Sequence, residues 1–310
     1  MELIRGLHNI KPGHRDCVLT IGNFDGVHLG HQAVLAQVKQ IAAALNLPAV
    51  VMVFEPQPLE LFKPEAAPAR LTRFREKYHW LARLGLDRLL CVNFNADFAG
   101  QDPQGFIEQL LLGKLGVRHL IVGDDFCFGK NRAGNYALLQ QAAAQFGFGL
   151  TSTASLKQDD KRVSSTLIRQ ALEQNELEQA EQMLGRPFSL MGRVRHGEKV
   201  GRQLGFPTAN VWLYRNKLPV RGVYAIEALT AHGHFHGVAN IGARPTLQGK
   251  QEQLEAHFFD FQGDLYGQQI EVLLRHKIRA ERKFASLNEL QQQIQLDAAA
   301  ARQFFSNKNN

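Results

Sequence analysis

Two histidines three residues apart, His28 and His31, stand in the stretch TIGNFDGVHLGHQ with Gly22, Asn23, Phe24 and Asp25 just ahead of them. Apolar Cys17, Val18 and Leu19 come before it. Val34, Leu35, Val38, Ile41 and Leu45 follow at helical spacing, so the stretch reads as strand, turn and helix start. Free backbone N–H groups converge at such a start and hold anions. A spacing of three lets both imidazoles point at one anion above the helix. A zinc site is the rival, but two histidines without a third ligand are a poor set. A pair of surface histidines in a turn is the plainer alternative.

A second segment, SSTLIRQAL, puts Ser164, Ser165 and Thr166 at a helix start with Arg169 a turn later. Hydroxyls, backbone donors and a guanidinium make a grip for a polyphosphate. Plain N-capping by Ser165 beside a surface Arg is the other reading. VFEPQP, residues 53–58, stiffens a strand end with Pro56 and Pro58; VGDDFCFGKNRAG, residues 122–134, sets Phe126 and Phe128 beside Asp124, Asp125, Lys130 and Arg132. Aromatics next to basic residues suit a flat ring that carries a phosphate.

The second half holds GEKVGRQLGFPTAN, residues 197–210. Gly197, Gly201 and Gly205 allow a loop to approach phosphates, with Lys199 and Arg202 nearby and Pro207 leading into Thr208. Thr208 and Asn210 alternate on an expected strand, so their oxygens face one way. A hydroxyl and a carboxamide are hard ligands suited to Mg2+ with nucleotide phosphates; a glycine-rich β-turn is the alternative. In EQLEAHFFDFQGDLYG, residues 252–267, Glu255 and His257 share one strand face and Leu254, Ala256 and Phe258 the other. A carboxylate on an apolar strand can take a proton from an attacking hydroxyl.

Elements must position these groups. Strands are expected at 17–22, 49–54, 88–94, 118–123 and 149–154, with helices at 30–46, 72–84, 103–114 and 134–147. Asp102-Pro103 supplies an N-cap and first turn for the third helix. That alternation predicts a parallel sheet covered on both faces, with ligands at the carboxyl ends of its strands. Two helices are expected over 164–184. From Gly185 the pattern changes to short alternating segments at 190–194, 222–229, 234–241, 254–261 and 269–276, an antiparallel barrel. Ser286 to Glu289 reads as a capping box, and Leu287, Leu290, Ile294, Ala298, Ala301 and Phe305 continue as a closing helix. The expected domains are 1–185 and 186–310.

With 45% hydrophobic and 21% charged residues among 310, the composition is ordinary and globular, and the expected location is cytoplasmic. No apolar run is long enough for a membrane span, and the polar start does not read as a signal peptide. Three scattered cysteines exclude a disulfide framework. The formal charge of +7 is spread along the chain rather than massed, which argues against a nucleic-acid partner. A barrel that binds RNA would need exposed aromatics between basic residues, which GFPTAN does not offer.

GNFDGVHLGH and SSTLIR resemble the nucleotidyltransferase superfamily that includes class I aminoacyl-tRNA synthetases and cofactor adenylyltransferases. The segments around Pro56, Pro58, Asp125, Phe126 and Phe128 resemble the flavin side of bacterial FAD synthetases, with Cys127 and Gln57 where that family often has Arg and His. GRQLGFPTAN, LEAHFFDFQGDLYG and IRAERKF resemble riboflavin kinase. Over about residues 15–305 the chain therefore resembles the bacterial bifunctional riboflavin kinase/FAD synthetases. The resemblance implies a Rossmann-like nucleotidyltransferase domain and a kinase β-barrel, acting on riboflavin, FMN and ATP with Mg2+. It implies that Gly22, Asn23, Phe24, Asp25, His28, His31, Ser164, Thr166 and Arg169 hold the ATP of adenylyl transfer. Gly197, Lys199, Gly201, Pro207, Thr208 and Asn210 hold the kinase nucleotide, and Thr208 and Asn210 its metal. By the same resemblance Glu255 is expected as the kinase base, with Arg279 and Phe284 beside the flavin. Oligomeric state stays open.

Overall fold

Aliphatic runs separated by amphipathic stretches build the first half of the chain as layers, and alternating segments build the second as a barrel. The computed structural model describes residues 1–153, 157–158, 161–197, 201, 204–215, 217–246 and 249–308. Lys199 and Arg202 lie outside the described residues. Two units emerge, Met1–Pro68 with Thr72–Ser164, and Ala69–Leu71 with Ser165–Asn310.

In the first unit six strands lie parallel: β1 (Glu2–Arg5), β2 (Cys17–Ile21), β3 (Ala49–Glu55), β4 (Arg88–Asn93), β5 (Val117–Gly123) and β6 (Gly149–Thr153). Their order is β1-β4-β3-β2-β5-β6. The order reverses between β2 and β5, and crevices at such switch points receive ligands. Successive residues of each strand feed opposite faces. Leu19, Met52, Leu90 and Leu120 pack under α3 (Phe106–Lys114, a π-type helix) and α4 (Tyr136–Phe146). Their neighbours Val18, Val51, Leu89 and Ile121 pack under α1 (Leu29–Leu45) and α2 (Phe74–Arg83). The Asp102 side chain accepts from the Gly105 N–H at 3.1 Å, capping the turn that leads into α3. β1 is the strand the sequence pattern did not announce. It has four residues, of which Ile4 alone is buried, too short for alternation to register.

The second unit begins with α5 (Ser165–Glu173) and α6 (Leu177–Leu184), the expected helix pair. Six antiparallel strands follow: β7 (Ser189–Arg195), β8 (Ala209–Trp212), β9 (Gly222–Thr230), β10 (Gly233–Thr246), β11 (Gly249–Phe258) and β12 (Gln269–Arg279). They close in the order β8-β11-β10-β9-β12-β7, with β7 paired back onto β8. β10 and β11 run longer than their alternation suggested, because the ladder carries on through Gly242 and Pro245. The strand expected to reach residue 261 stops at Phe258, where the chain turns. The final helix, α7 (Leu287–Lys308), lays Ala298, Ala301 and Phe305 against Val223, Ala225 and Val238 on the barrel's outer surface. Ser286 accepts from the Glu289 N–H at 3.2 Å, but Glu289 reaches back to the Ala285 N–H at 3.0 Å, one residue beyond the expected box.

α5 and α6 belong with the barrel. Asn175, just after α5, accepts from Lys277 at 2.5 Å and from the Tyr224 hydroxyl at 3.4 Å. Arg275 of β12 faces Glu181 of α6 at 3.7 Å and bonds Glu227 of β9 at 2.9 Å. Burial alone would raise the Glu227 pKa; the hydrogen bond and charge of Arg275, with His234 and His236, outweigh it and hold the carboxyl below its usual range.

A carboxyl held low in the fold contributes stability that is complete above the unfolded carboxylate range and is lost as pH falls through its folded value. Glu227→Gln should therefore melt below the parent chain at neutral pH, and the gap should shrink steadily in acid. Thermal denaturation across pH checks this; a gap that widened in acid would contradict the assignment.

Candidate functional site

In the first unit the turn between β2 and α1 brings the histidines together. Phe24 and Val27 adopt left-handed backbone, φ 47° and 43°, on either side of Gly26. Such geometry in a bulky and a β-branched residue marks a turn held by its surroundings. The holding contacts are visible. Asp25 is buried and accepts from the Thr72 N–H at 2.9 Å and hydroxyl at 3.2 Å, while the Thr72 hydroxyl accepts from the Gly26 N–H at 2.9 Å. Asp25 thus anchors the turn. His28 is the N-cap of α1, its Nδ1 accepting from the His31 N–H at 3.3 Å. An imidazole that accepts at Nδ1 carries its proton on Nε2 when neutral, so His28 offers a donor there. The two rings stack at 3.6 Å and 18°, and Phe24 leans on His31 at 4.9 Å. Asn23 is exposed beside them, and the Gly22 N–H donates to Met52 at 3.1 Å.

The other expected residues of this half divide. Pro56 and Pro58 follow β3, with Pro58 opening a short helix, Pro58–Phe62, after the buried Gln57. Asp125 and Phe126 follow β5 at its carboxyl end. Phe126 stacks on Phe128 at 5.6 Å and 20°. Phe128 is a core residue, packed on Phe106 at 5.0 Å. Ser164 closes the first unit, whereas Thr166 and Arg169 lie on α5 in the second. There the Arg169 Nε donates to the Ala69 carbonyl at 2.6 Å.

The second unit gathers its set more tightly. Cross-strand register aligns Asn210 with Glu255, Glu255 with Asn240, Asn240 with Val223, and Val223 with Arg279. Facing partners on adjacent strands share a face, so this row runs along the outside of the barrel. Leu254 and Ala256, wholly buried, point inward between them. A cavity of about 200 Å³ opens over the row and takes Thr208, Asn240, Glu255, Arg279 and Phe284 into its walls. Thr208 departs from expectation in one respect. β8 starts at Ala209, so Thr208 precedes the strand instead of alternating on it. The reason is Pro207, which cannot donate to a ladder. Gly201 lies against Thr208 and Phe206, and Gly197 against the Asn210 amide, so closely that a methyl on either would collide.

Four side chains of this site, Asp297, Gln253, Glu281 and Arg282, were not singled out from the sequence. Asp297 of α7, buried, grips Arg279 in a two-pronged pair: Nε to Oδ1 at 2.9 Å and Nη2 to Oδ2 at 2.7 Å. Its signal was a carboxylate inside the apolar stripe, next to Ala298. Gln253 donates to Asn210 Oδ1 at 2.7 Å, and Glu281 accepts from the Asn240 amide at 3.4 Å. Arg279 and Arg282 lie over the Phe284 ring at 5.6 and 4.6 Å from its centre.

Comparison with known proteins places these units. A family model described as FAD synthetase matches residues 10–167, and one described as riboflavin kinase matches 184–305. A bifunctional riboflavin kinase/FMN adenylyltransferase of Escherichia coli (strain K12) is 53% identical over 307 residues, covering 98% of each chain. A protein of the same description from Haemophilus influenzae is 49% identical, covering 99% of this chain and 100% of its own. A crystal structure described as a macrolide-efflux protein from Streptococcus pneumoniae matches with a TM-score of 0.81 at 28% identity, over 97% of this chain and 99% of that one. No helix among the described residues is long and apolar enough to cross a membrane.

Breaking the Arg279–Asp297 pair from the helix side leaves a largely buried guanidinium without its carboxylate. Asp297→Ala should lower stability by about 3 kcal/mol, the order found when one partner of a buried pair is removed. Asp297→Asn keeps an acceptor and should cost less. Denaturant unfolding of the two variants checks the order.

Proposed function

The chain belongs to the bifunctional riboflavin kinase/FMN adenylyltransferase family, and from that premise we propose how its two units carry the two reactions. The second unit phosphorylates riboflavin with ATP to FMN; the first adenylylates FMN with a second ATP to FAD, releasing pyrophosphate. The observation that carries the kinase half is the outer row of the barrel. It sets Glu255 between Asn210 and Asn240, under one cavity with Thr208, Arg279 and Phe284.

In the kinase step the 5′-hydroxyl oxygen of riboflavin attacks the γ-phosphorus of ATP. Glu255 takes the hydroxyl proton, and the bond to ADP breaks. A carboxylate in hydrogen-bond reach of the nucleophile is the usual base for such a step. Phe284 offers a face to the isoalloxazine, and Arg279, held by Asp297, fixes the wall beside it. Gly197, Gly201 and Pro207 shape the nucleotide side. Thr208 and Asn210 provide hard oxygens that would hold Mg2+ together with water and nucleotide phosphate. When bound, Mg2+ neutralises charge on the transferring phosphate oxygens.

In the adenylyl step a phosphate oxygen of FMN attacks the α-phosphorus of ATP, and the bond to pyrophosphate breaks. The stacked His28 and His31 donate to ATP phosphate oxygens as charge shifts toward the leaving group. Gly22, Asn23 and Phe24 line the turn that receives the nucleotide, and Asp25 holds that turn in place. On the flavin side we assign Pro56, Pro58, Asp125 and Phe126, with Phe128 supporting Phe126 from below. Ser164, at the end of this unit, is assigned to ATP by the resemblance of its segment. The same reading takes the chain to work in the cytoplasm on small molecules, without a nucleic-acid partner.

Kinase activity is further assigned to residues 186–310. A fragment starting at 165 should melt higher than one starting at 186, because the shorter one loses the Asn175 and Glu181 contacts to the barrel. Parallel thermal melts decide this, and FMN formation by the 186–310 fragment tests the assignment.

Separating the two chemistries is the sharper test. Glu255→Gln should cut FMN formation by roughly two to four powers of ten and leave FAD formation from supplied FMN unchanged. His28→Asn keeps an acceptor for the helix cap but removes the ring donor, so FMN should form and accumulate while FAD falls. Chromatography of flavins after incubation with riboflavin, ATP and Mg2+ reads both. Loss of adenylyl transfer in Glu255→Gln would overturn the division.

A further inference from the structure

The backbone ladder between β8 and β11 begins at Ala209↔Ala256 and runs on through Asn210↔Glu255. Pro207 and Thr208 lie beyond it, and Pro207 has no N–H with which to extend it. Something else must fix the Thr208 hydroxyl relative to Glu255.

Two side chains from the strand of Glu255 reach the segment on either side of Thr208. Gln253, Glu255 and His257 alternate onto one face of β11. Gln253 Nε2 donates to Asn210 Oδ1 at 2.7 Å, and His257 Nδ1 meets the Pro207 carbonyl at 2.9 Å. A carbonyl only accepts, so His257 carries a proton on Nδ1 whatever its charge. The two bonds bracket Thr208, one at the residue before it and one two residues after. Phe206 and Phe259 pack edge-on against the His257 ring at 5.3 and 5.9 Å, which holds its plane. The bond from Gln253 turns Asn210 Oδ1, rather than its NH2, toward β11. It uses one lone pair of that oxygen and leaves the second for a hard cation.

We propose that Gln253 and His257 are positioning residues of the kinase, a two-point clamp through which the strand bearing the base holds the Pro207–Asn210 segment in its metal-and-nucleotide-binding geometry. The proposal rests on the kinase reading given above. Neither side chain takes part in proton or phosphoryl transfer. Outer groups that orient metal ligands set metal affinity, and their loss commonly weakens it ten- to a hundredfold, as an order of magnitude.

The test uses the full chain and four variants: Gln253→Leu, His257→Ala, His257→Asn and His257→Gln. Asparagine places its amide N–H about where Nδ1–H stands; glutamine places it one atom farther, at the reach of Nε2. Calorimetry with ADP, in Mg2+ and in EDTA, gives the Mg2+-dependent part of nucleotide affinity without turnover. Gln253→Leu, His257→Ala and His257→Gln should each lose roughly tenfold of that part, with affinity in EDTA unchanged. The KM for ATP in FMN formation should rise to match, and FAD formation from FMN should not move. His257→Asn should recover most of the loss. Parent-like Mg2+-dependent affinity in His257→Ala, or equal loss in His257→Asn and His257→Gln, would overturn the clamp. If the parent chain made no FMN at all, the kinase reading would fall and the clamp with it. FMN formation by a parent-like His257→Ala defeats the clamp alone.

Discussion

Because β11 is hydrogen-bonded on both sides inside a closed barrel, its register decides where nearly every group of the second unit's site can be. A slip of one residue would turn Leu254 and Ala256 out to solvent and drive Glu255 and His257 into the interior. An uncompensated carboxylate there would be strongly destabilising. Closure removes the free edges along which a slip could begin. The same register puts Asn210 and Asn240 on either side of Glu255, and Arg279 beyond Val223. The position of Glu255 is therefore a consequence of period-two burial along one strand.

A site on the outside of a barrel needs walls that the barrel does not provide. The β12–α7 connection supplies one, carrying Glu281, Arg282 and Phe284 to the cavity. α7 supplies the anchor, since its apolar stripe binds the barrel surface and its one buried carboxylate, Asp297, meets Arg279. The charged pair and the hydrophobic contact share a helix face, so the wall cannot be placed correctly unless α7 is docked.

Both dense motifs were legible in the sequence because each joins unusual residue types to a strand end, and the layer and barrel classes followed from periodicities near 3.6 and 2. Legibility failed where a position depends on contacts distant in the chain. Nothing in the sequence ties the Asp25 carboxylate to Thr72, 47 residues on. Phe126 and Phe128 look alike, yet Phe128 belongs to the core through Phe106. β1 was too short to show a pattern. Gln253 carries no signal of its own in the sequence, and only the pairing of β8 with β11 gives it Asn210 as a partner.

The residue types chosen by the two units match what each nucleophile lacks. The attacking group in adenylyl transfer is the phosphate of FMN, which carries roughly one and a half to two negative charges at neutral pH. It needs no base, and no proton has to leave. What that step requires is donors for the charge that moves onto the departing pyrophosphate; the role proposed for His28, whose Nδ1 accepts from the His31 N–H, and for His31, stacked upon it, is to supply them. The one carboxylate in that turn, Asp25, is buried in structural hydrogen bonds. The attacking group in the kinase step is a neutral alcohol, whose proton must go to a protein group, and there the barrel offers Glu255 at the wall of a cavity. As proposed, the phosphate nucleophile is met by ring donors and the alcohol by a carboxylate acceptor. On the proposed division, the order of the reactions along the chemistry — alcohol first, phosphate second — is written into which unit carries the acid and which carries the imidazoles.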